Sequence, residues 1–127
     1  MRNIMLLIGC VFFFSSCSAD EEIIPLVGIY RAHVVGVSGP FDLVVSTDRG
    51  DNVLIDAPFD GFAWSVIQAD IDNKQEELKD VDIRKQEIYP GTSIQGDGFY
   101  YSGTLELTYC IKSAGDCETY KIVAVRR

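Results

Sequence analysis

Punctuation is what most restricts this fold. From residue 28 onward, short runs rich in β-branched and aromatic residues are broken by Gly, Pro, Asp and Asn, and few stretches have helical spacing. Turn signals stand at Ser38-Gly39-Pro40, Asp48-Arg49-Gly50-Asp51, Pro58-Phe59-Asp60-Gly61, Asp72-Asn73-Lys74 and Pro90-Gly91. Glycine and proline there favour backbone dihedrals that a continuous helix cannot use. The runs between them, 28–37, 41–47, 52–57, 62–71, 79–88, 94–101, 103–111 and 117–126, read as eight strands. Short strands at near-even spacing predict an all-β chain, an antiparallel meander forming a small barrel or a sandwich. A chain of 127 residues has room for one domain, which we place at 26–127.

Alternation assigns the faces. Tyr30, Ala32 and Val34 share one face, with Arg31 and His33 on the other. Phe41, Leu43 and Val45 alternate with Asp42 and Ser46, and Val53 and Ile55 with Asn52 and Asp56. In 62–71 the apolar face switches from Phe62, Trp64 and Val66 to Ile67, Ala69 and Ile71, which predicts a β-bulge near Val66. The segment KQEELKD, 74–80, is the one stretch of helix-forming composition and reads as a single turn between strands.

The chain begins MRNIMLLIGCVFFFSSC. Arg2 is a short positive region, residues 4–14 are apolar apart from Gly9 and Cys10, and small Ser15 and Ser16 follow. This is the anatomy of a signal peptide, and the run falls short of the roughly 20 residues a spanning helix needs. Phe14-Ser15-Ser16-Cys17 resembles the lipobox of bacterial lipoproteins. The resemblance implies that residues 1–16 are removed, that the Cys17 sulfur carries diacylglycerol, and that the new N-terminus is usually acylated as well. Each buried CH₂ would then add about 0.8 kcal/mol of anchoring. Leu7-Ile8-Gly9-Cys10 also fits lipobox letters, but too few apolar residues precede it for a signal core of about 7–15. Cys10 therefore reads as apolar filler. Ser18-Ala19-Asp20-Glu21-Glu22 resembles the surface-export signal of Bacteroidetes lipoproteins, and it also reads as a solvated tether, 17–25, ended by Pro25. The implied location is the outer membrane, exposed at the cell surface.

Export implies an oxidising compartment, so Cys110 and Cys117 are expected to form a disulfide. Setting them opposite each other across a hairpin places Thr108 against Thr119, Leu107 against Tyr120, Glu106 against Lys121 and Leu105 against Ile122. That register sorts apolar pairs to one face and polar pairs to the other, and a one-residue slip would mix them.

The net charge of −8 argues against nucleic acid as a partner, since phosphate binding needs clustered Lys and Arg. His33 is the only histidine, so multi-His zinc sites are out of reach. On the more polar face beside Arg31 it reads as exposed and structural, not as part of a Ser-His-Asp triad. Nucleophile-elbow, Walker and dinucleotide motifs are missing, and no two carboxylates stand out as a glycosidase pair. The chain reads as non-enzymatic, with no cofactor or metal expected. Asp70, Asp72 and Asn73, with Glu76 and Glu77, are similar to a calcium loop but miss the EF-hand's Gly and final Glu spacing. Asp48, Asp51, Asp56 and Asp60 read as solvated turns. Arg49-Gly50-Asp51 spells the integrin-binding tripeptide, yet turn chemistry alone accounts for its Gly and Asp.

Aromatic residues are the richer signal. In Gly98-Phe99-Tyr100-Tyr101, consecutive rings must point to both faces, so at least one stands outside. Trp64, Phe99, Tyr100 and Tyr101 form the candidate binding surface, able to stack on a sugar or a protein. The competing reading is a glycine-bent barrel strand whose second face is covered by a loop.

Gly28-x-Tyr30 and Arg126 resemble the calycins, lipocalin-like barrels in which a Gly-x-Trp on the first strand packs under an Arg near the end of the last. Tyr30 replaces the Trp here. The wider pattern is similar to small β-domain lipoproteins of Bacteroidetes. Two functions follow as expectations. One is a binding or accessory module, anchored to the outer membrane through Cys17 and contacting a protein or glycan. The other is a lipocalin-like carrier of a small apolar ligand. A carrier needs an interior cavity of ~300 Å³ or more, expected between Tyr30, Trp64 and Leu107, whereas a module has a filled core.

Overall fold

A computed structural model describes residues 21–73 and 78–127. After a short 3₁₀ helix, Glu21–Leu26, the chain forms β1 (Gly28–Val34), β2 (Ser38–Thr47), β3 (Asn52–Pro58), β4 (Trp64–Asn73), β5 (Leu78–Tyr89), β6 (Thr92–Tyr101), β7 (Thr104–Lys112) and β8 (Cys117–Arg126). Each strand pairs antiparallel with the next, and β8 returns to β1, so the meander closes as an eight-stranded barrel and not as a sandwich. Closure gives every strand a neighbour on both sides, although the β4–β5 ladder covers only Asp70 to Asn73 of β4. The leader, Cys10, Cys17 and tether residues 18–20 lie outside the described residues, as do Glu76 and Glu77.

The interior is packed by the residues that alternation selected. Tyr30, Ala32, Val34, Leu43, Val45, Val53 and Ile55 are buried, while Arg31, His33 and Asp42 face solvent. Ile23 and Leu26 of the 3₁₀ helix close one end of the barrel, and Phe59, from the β3–β4 loop, fills the other.

Four local expectations are corrected. First, β4 has no bulge near Val66. It stays in unbroken register with β3 from Pro58↔Trp64 to Asn52↔Asp70, so Trp64 and Val66 remain outside. The apparent switch of face was an exposed apolar stripe. The register shifts fall instead between Ala32 and Val34, and twice along β5, between Ile83 and Gln86 and between Glu87 and Tyr89. Second, β1 ends at Val34 and the Gly39-Pro40 pair lies within β2 beside the β1–β2 shift, where a proline costs no ladder hydrogen bond. Third, Leu78, Lys79 and Asp80 open β5 as strand rather than helical turn.

Fourth, the β7–β8 hairpin zips two residues further than expected. Cys110 faces Thr119 and Lys112 faces Cys117, so the chain turns through Ser113-Ala114-Gly115-Asp116 and gains ladder pairs. A two-residue slip keeps every side chain on its face, and Leu107 now meets Ile122. The disulfide forms across the diagonal, with Cys110 and Cys117 Cα atoms 5.5 Å apart. Glu106 and Lys121 also meet diagonally, at 3.0 Å.

Candidate functional site

The meander gives the barrel two different ends. One receives the chain through the 3₁₀ helix and carries the β2–β3 and β6–β7 turns and the C-terminus. The far end carries the β1–β2, β3–β4, β5–β6 and β7–β8 turns.

The entry end is sealed by a polar knot. The Tyr30 hydroxyl donates to the Leu26 carbonyl at 2.6 Å. Arg126 donates to the Val27 carbonyl at 3.0 Å and to the Pro25 carbonyl, and its guanidinium lies 5.1 Å over the Tyr30 ring. Gly28 makes room for it, since a Cβ there would stand 2.5 Å from Arg126 Nη1. Gly28, Tyr30 and Arg126 are thus brought together. Burial pushes the Tyr30 hydroxyl well above the ordinary phenol range, partly offset by the Arg126 charge.

Tyr30 and Leu107 lie in the packed core, but Trp64 stands on the outer surface, so these three residues line no common interior space. The expected place for a carrier's cavity is therefore corrected.

On the outside, β5 to β8 form a shallow hollow of about 650 Å³ lined by Asp82, Asp97, Glu106, Phe99 and Lys121 among others. Beneath it, two glycines let β6 lie close on β7. A Cβ at Gly98 would sit 2.0 Å from the Glu106 carbonyl oxygen, and one at Gly96 would sit 2.2 Å from that of Thr108. Among the described residues, no group of three or more His, Cys, Asp or Glu could hold a metal ion.

The far end carries exposed apolar side chains on the side of the β1–β2 and β3–β4 turns. Phe62 is 78% exposed, Trp64 51% and Val66 54%. Phe41 meets Trp64 edge to face at 5.8 Å, and a hollow of about 220 Å³ opens among Pro40, Phe41, Pro58, Phe62 and Trp64. The β3–β4 loop is held from three sides. The Asp60 carboxylate accepts the Phe62 and Ala63 N–H groups at 2.8 Å each. The Tyr109 hydroxyl donates to the Phe59 carbonyl, and the Tyr89 hydroxyl donates to the Ala63 carbonyl at 3.2 Å. This pinned loop turns Phe59 inward and Phe62 outward.

The four candidate surface residues separate. Trp64 belongs to the far end. Phe99 and Tyr101, 39% and 51% exposed, stand on the outer face of β6 towards the entry end. Tyr100 is only 7% exposed and faces the core, so it leaves the candidate surface. Phe41 and Phe62 join Trp64 instead; Phe62, two residues before Trp64, shared its predicted face. His33 is exposed on β1, and Arg49-Gly50-Asp51 lies at the β2–β3 turn.

Compared with protein-family models, with curated proteins and with solved structures, the chain matches no family, relative or structural neighbour.

Proposed function

We propose that this protein is an exported, non-enzymatic binding or accessory module of the bacterial outer membrane, anchored by a lipid on Cys17, that contacts a protein or glycan with the end of its barrel away from the anchor. The observation that carries this reading is the exposed pair Phe62 and Trp64, backed by half-buried Phe41, at the end opposite the one where the chain enters. A tether joined to the entry end leaves the far end facing outward. Clustered exposed rings favour association, so a surface of this kind is kept where a partner covers it. The tied β3–β4 loop holds the rings ready, which lowers the ordering cost of binding.

The lipocalin-like carrier is the second reading. The packing of Arg126 over Tyr30 beside Gly28 favours it. The side chains filling the barrel between Tyr30, Leu107 and Tyr109 weigh against it.

A photo-crosslinking residue tests the first reading in living cells. Placed at Phe62 it is expected to give a discrete adduct with a protein or glycan, and placed at Arg49 of the β2–β3 turn it is expected to give none. Absence of an adduct at position 62, or equal adducts at both, would overturn the assignment.

A further inference from the structure

The seam between β4 and β5 is closed largely by side chains. Its ladder runs from Asn73↔Lys79 to Asp70↔Asp82 and stops, leaving β4 residues 64–69 without a ladder partner on β5. The change lies on β5, whose two bulges against β6 begin just past Ile83 and take the strand out of ladder register while it stays alongside β4. Three side chains cross the gap. Arg84 Nε meets the Asp70 carboxylate at 2.6 Å. The Tyr89 hydroxyl reaches the Ala63 carbonyl at 3.2 Å. Between them, the Gln86 carboxamide accepts the Gln68 N–H at 2.9 Å and donates to the Gln68 carbonyl at 2.8 Å.

One carboxamide satisfying both the N–H and the C=O of a single strand residue reproduces what a neighbouring strand does in a ladder. Gln86 therefore stands where peptide groups of an added strand would stand, and its contact is exposed to solvent. In an extended strand, residues two apart aim their main-chain groups the same way. Val66 and Trp64 thus turn the same side of their backbone to the gap as Gln68. Their side chains, with Phe62, are the exposed stripe described above.

We propose that β4 takes up an extended segment of a partner polypeptide along residues 64–68, the segment adding as a strand and displacing the Gln86 carboxamide. Main-chain hydrogen bonds set its direction and register, and the Phe62, Trp64 and Val66 side chains contact every second residue. The inference rests on the reading of the far end as a contact surface, and it narrows protein or glycan to protein.

The test uses the full chain, expressed with its own leader and purified in detergent, and a phage-displayed library of random dodecapeptides as the probe. We expect binders with alternating apolar and polar residues. A synthesised binder should slow amide exchange at Val66 and Gln68. It should bind Gln86→Ala about tenfold more tightly, because a competing pair of hydrogen bonds is gone, and Trp64→Ser about tenfold more weakly. Gln86→Glu keeps the side chain's size but cannot donate to the Gln68 carbonyl, so it should also tighten binding if Gln86→Ala fails to fold. Binders that lose affinity in Trp64→Ser, ignore both Gln86 variants and leave exchange at Val66 and Gln68 unchanged would overturn strand addition while keeping the far-end surface. Binders indifferent to Trp64 as well, or no binders, would overturn the inference, and with indifference to Trp64 the surface reading falls too.

Discussion

Arg126 shows how much one side chain can hold together. It satisfies two carbonyls of the segment entering the barrel and covers the Tyr30 ring. Arg126→Met keeps the aliphatic stem but leaves those carbonyls without their donor, so urea unfolding should show a loss of about 2 kcal/mol. An unchanged midpoint would deny Arg126 this role. The buried tyrosines carry a pH signature. Burial raises Tyr30 and Tyr109 above the ordinary value of 10.0. Both phenols therefore favour the proton more in the folded than in the unfolded chain, and their contribution to stability is complete below about pH 10 and falls as pH rises above it. The tyrosine contribution to the denaturation midpoint should be constant from neutral pH to about pH 10 and then fall, and tyrosinate absorbance should show these two rings titrating late or only on unfolding. At this scale the sequence was partly legible. Gly28, Tyr30 and Arg126 could be linked only through their resemblance to the calycin pattern, and closure of the meander is what makes the first and last strands neighbours. The burial of Tyr100 could not be read, because its inward neighbours on β6 are Gly96 and Gly98, which have no side chain to mark a face.

At the scale of elements, strand number and most facings were legible because turn chemistry and a period of two are local. Register was legible only modulo two. Sorting apolar from polar fixes which face each hairpin residue takes, and the length of the turn decides the rest, which is why the β7–β8 pairing differs while the disulfide remains. Reduction should change the intact mass, and loss of the Cys110–Cys117 link should cost about 2 kcal/mol, the low end for a short loop. A mass unmoved by reductant would show free thiols. The close contact of β6 on β7 makes a stronger demand. At Gly98 a Cβ would meet the Glu106 carbonyl oxygen at 2.0 Å, a backbone atom that cannot swing aside. Gly98→Ala should therefore destabilise by more than about 3 kcal/mol or prevent folding, read by thermal or urea unfolding. Near-native stability would mean the two strands are less tightly apposed than described. The β5 bulges gave no warning in the sequence, since Arg84, Lys85 and Glu87 are solvent-facing residues that fit either a regular or a bulged strand.

The described residues form a barrel around a packed hydrophobic core with unlike ends, one tied to the entering chain and one with an exposed apolar side. Part of that far surface was legible: Trp64 stood out and Phe62 shared its predicted face, but Phe41 reaches it only because β2 and the β3–β4 loop meet there, which no local pattern encodes. Its meaning depends on how the molecule is held. Metabolic labelling with palmitate in the native host, comparing the wild type with Cys17→Ala, asks this most directly. The account predicts label on the wild-type protein and none on the variant. An unlabelled wild type, or equal label on both, would contradict it.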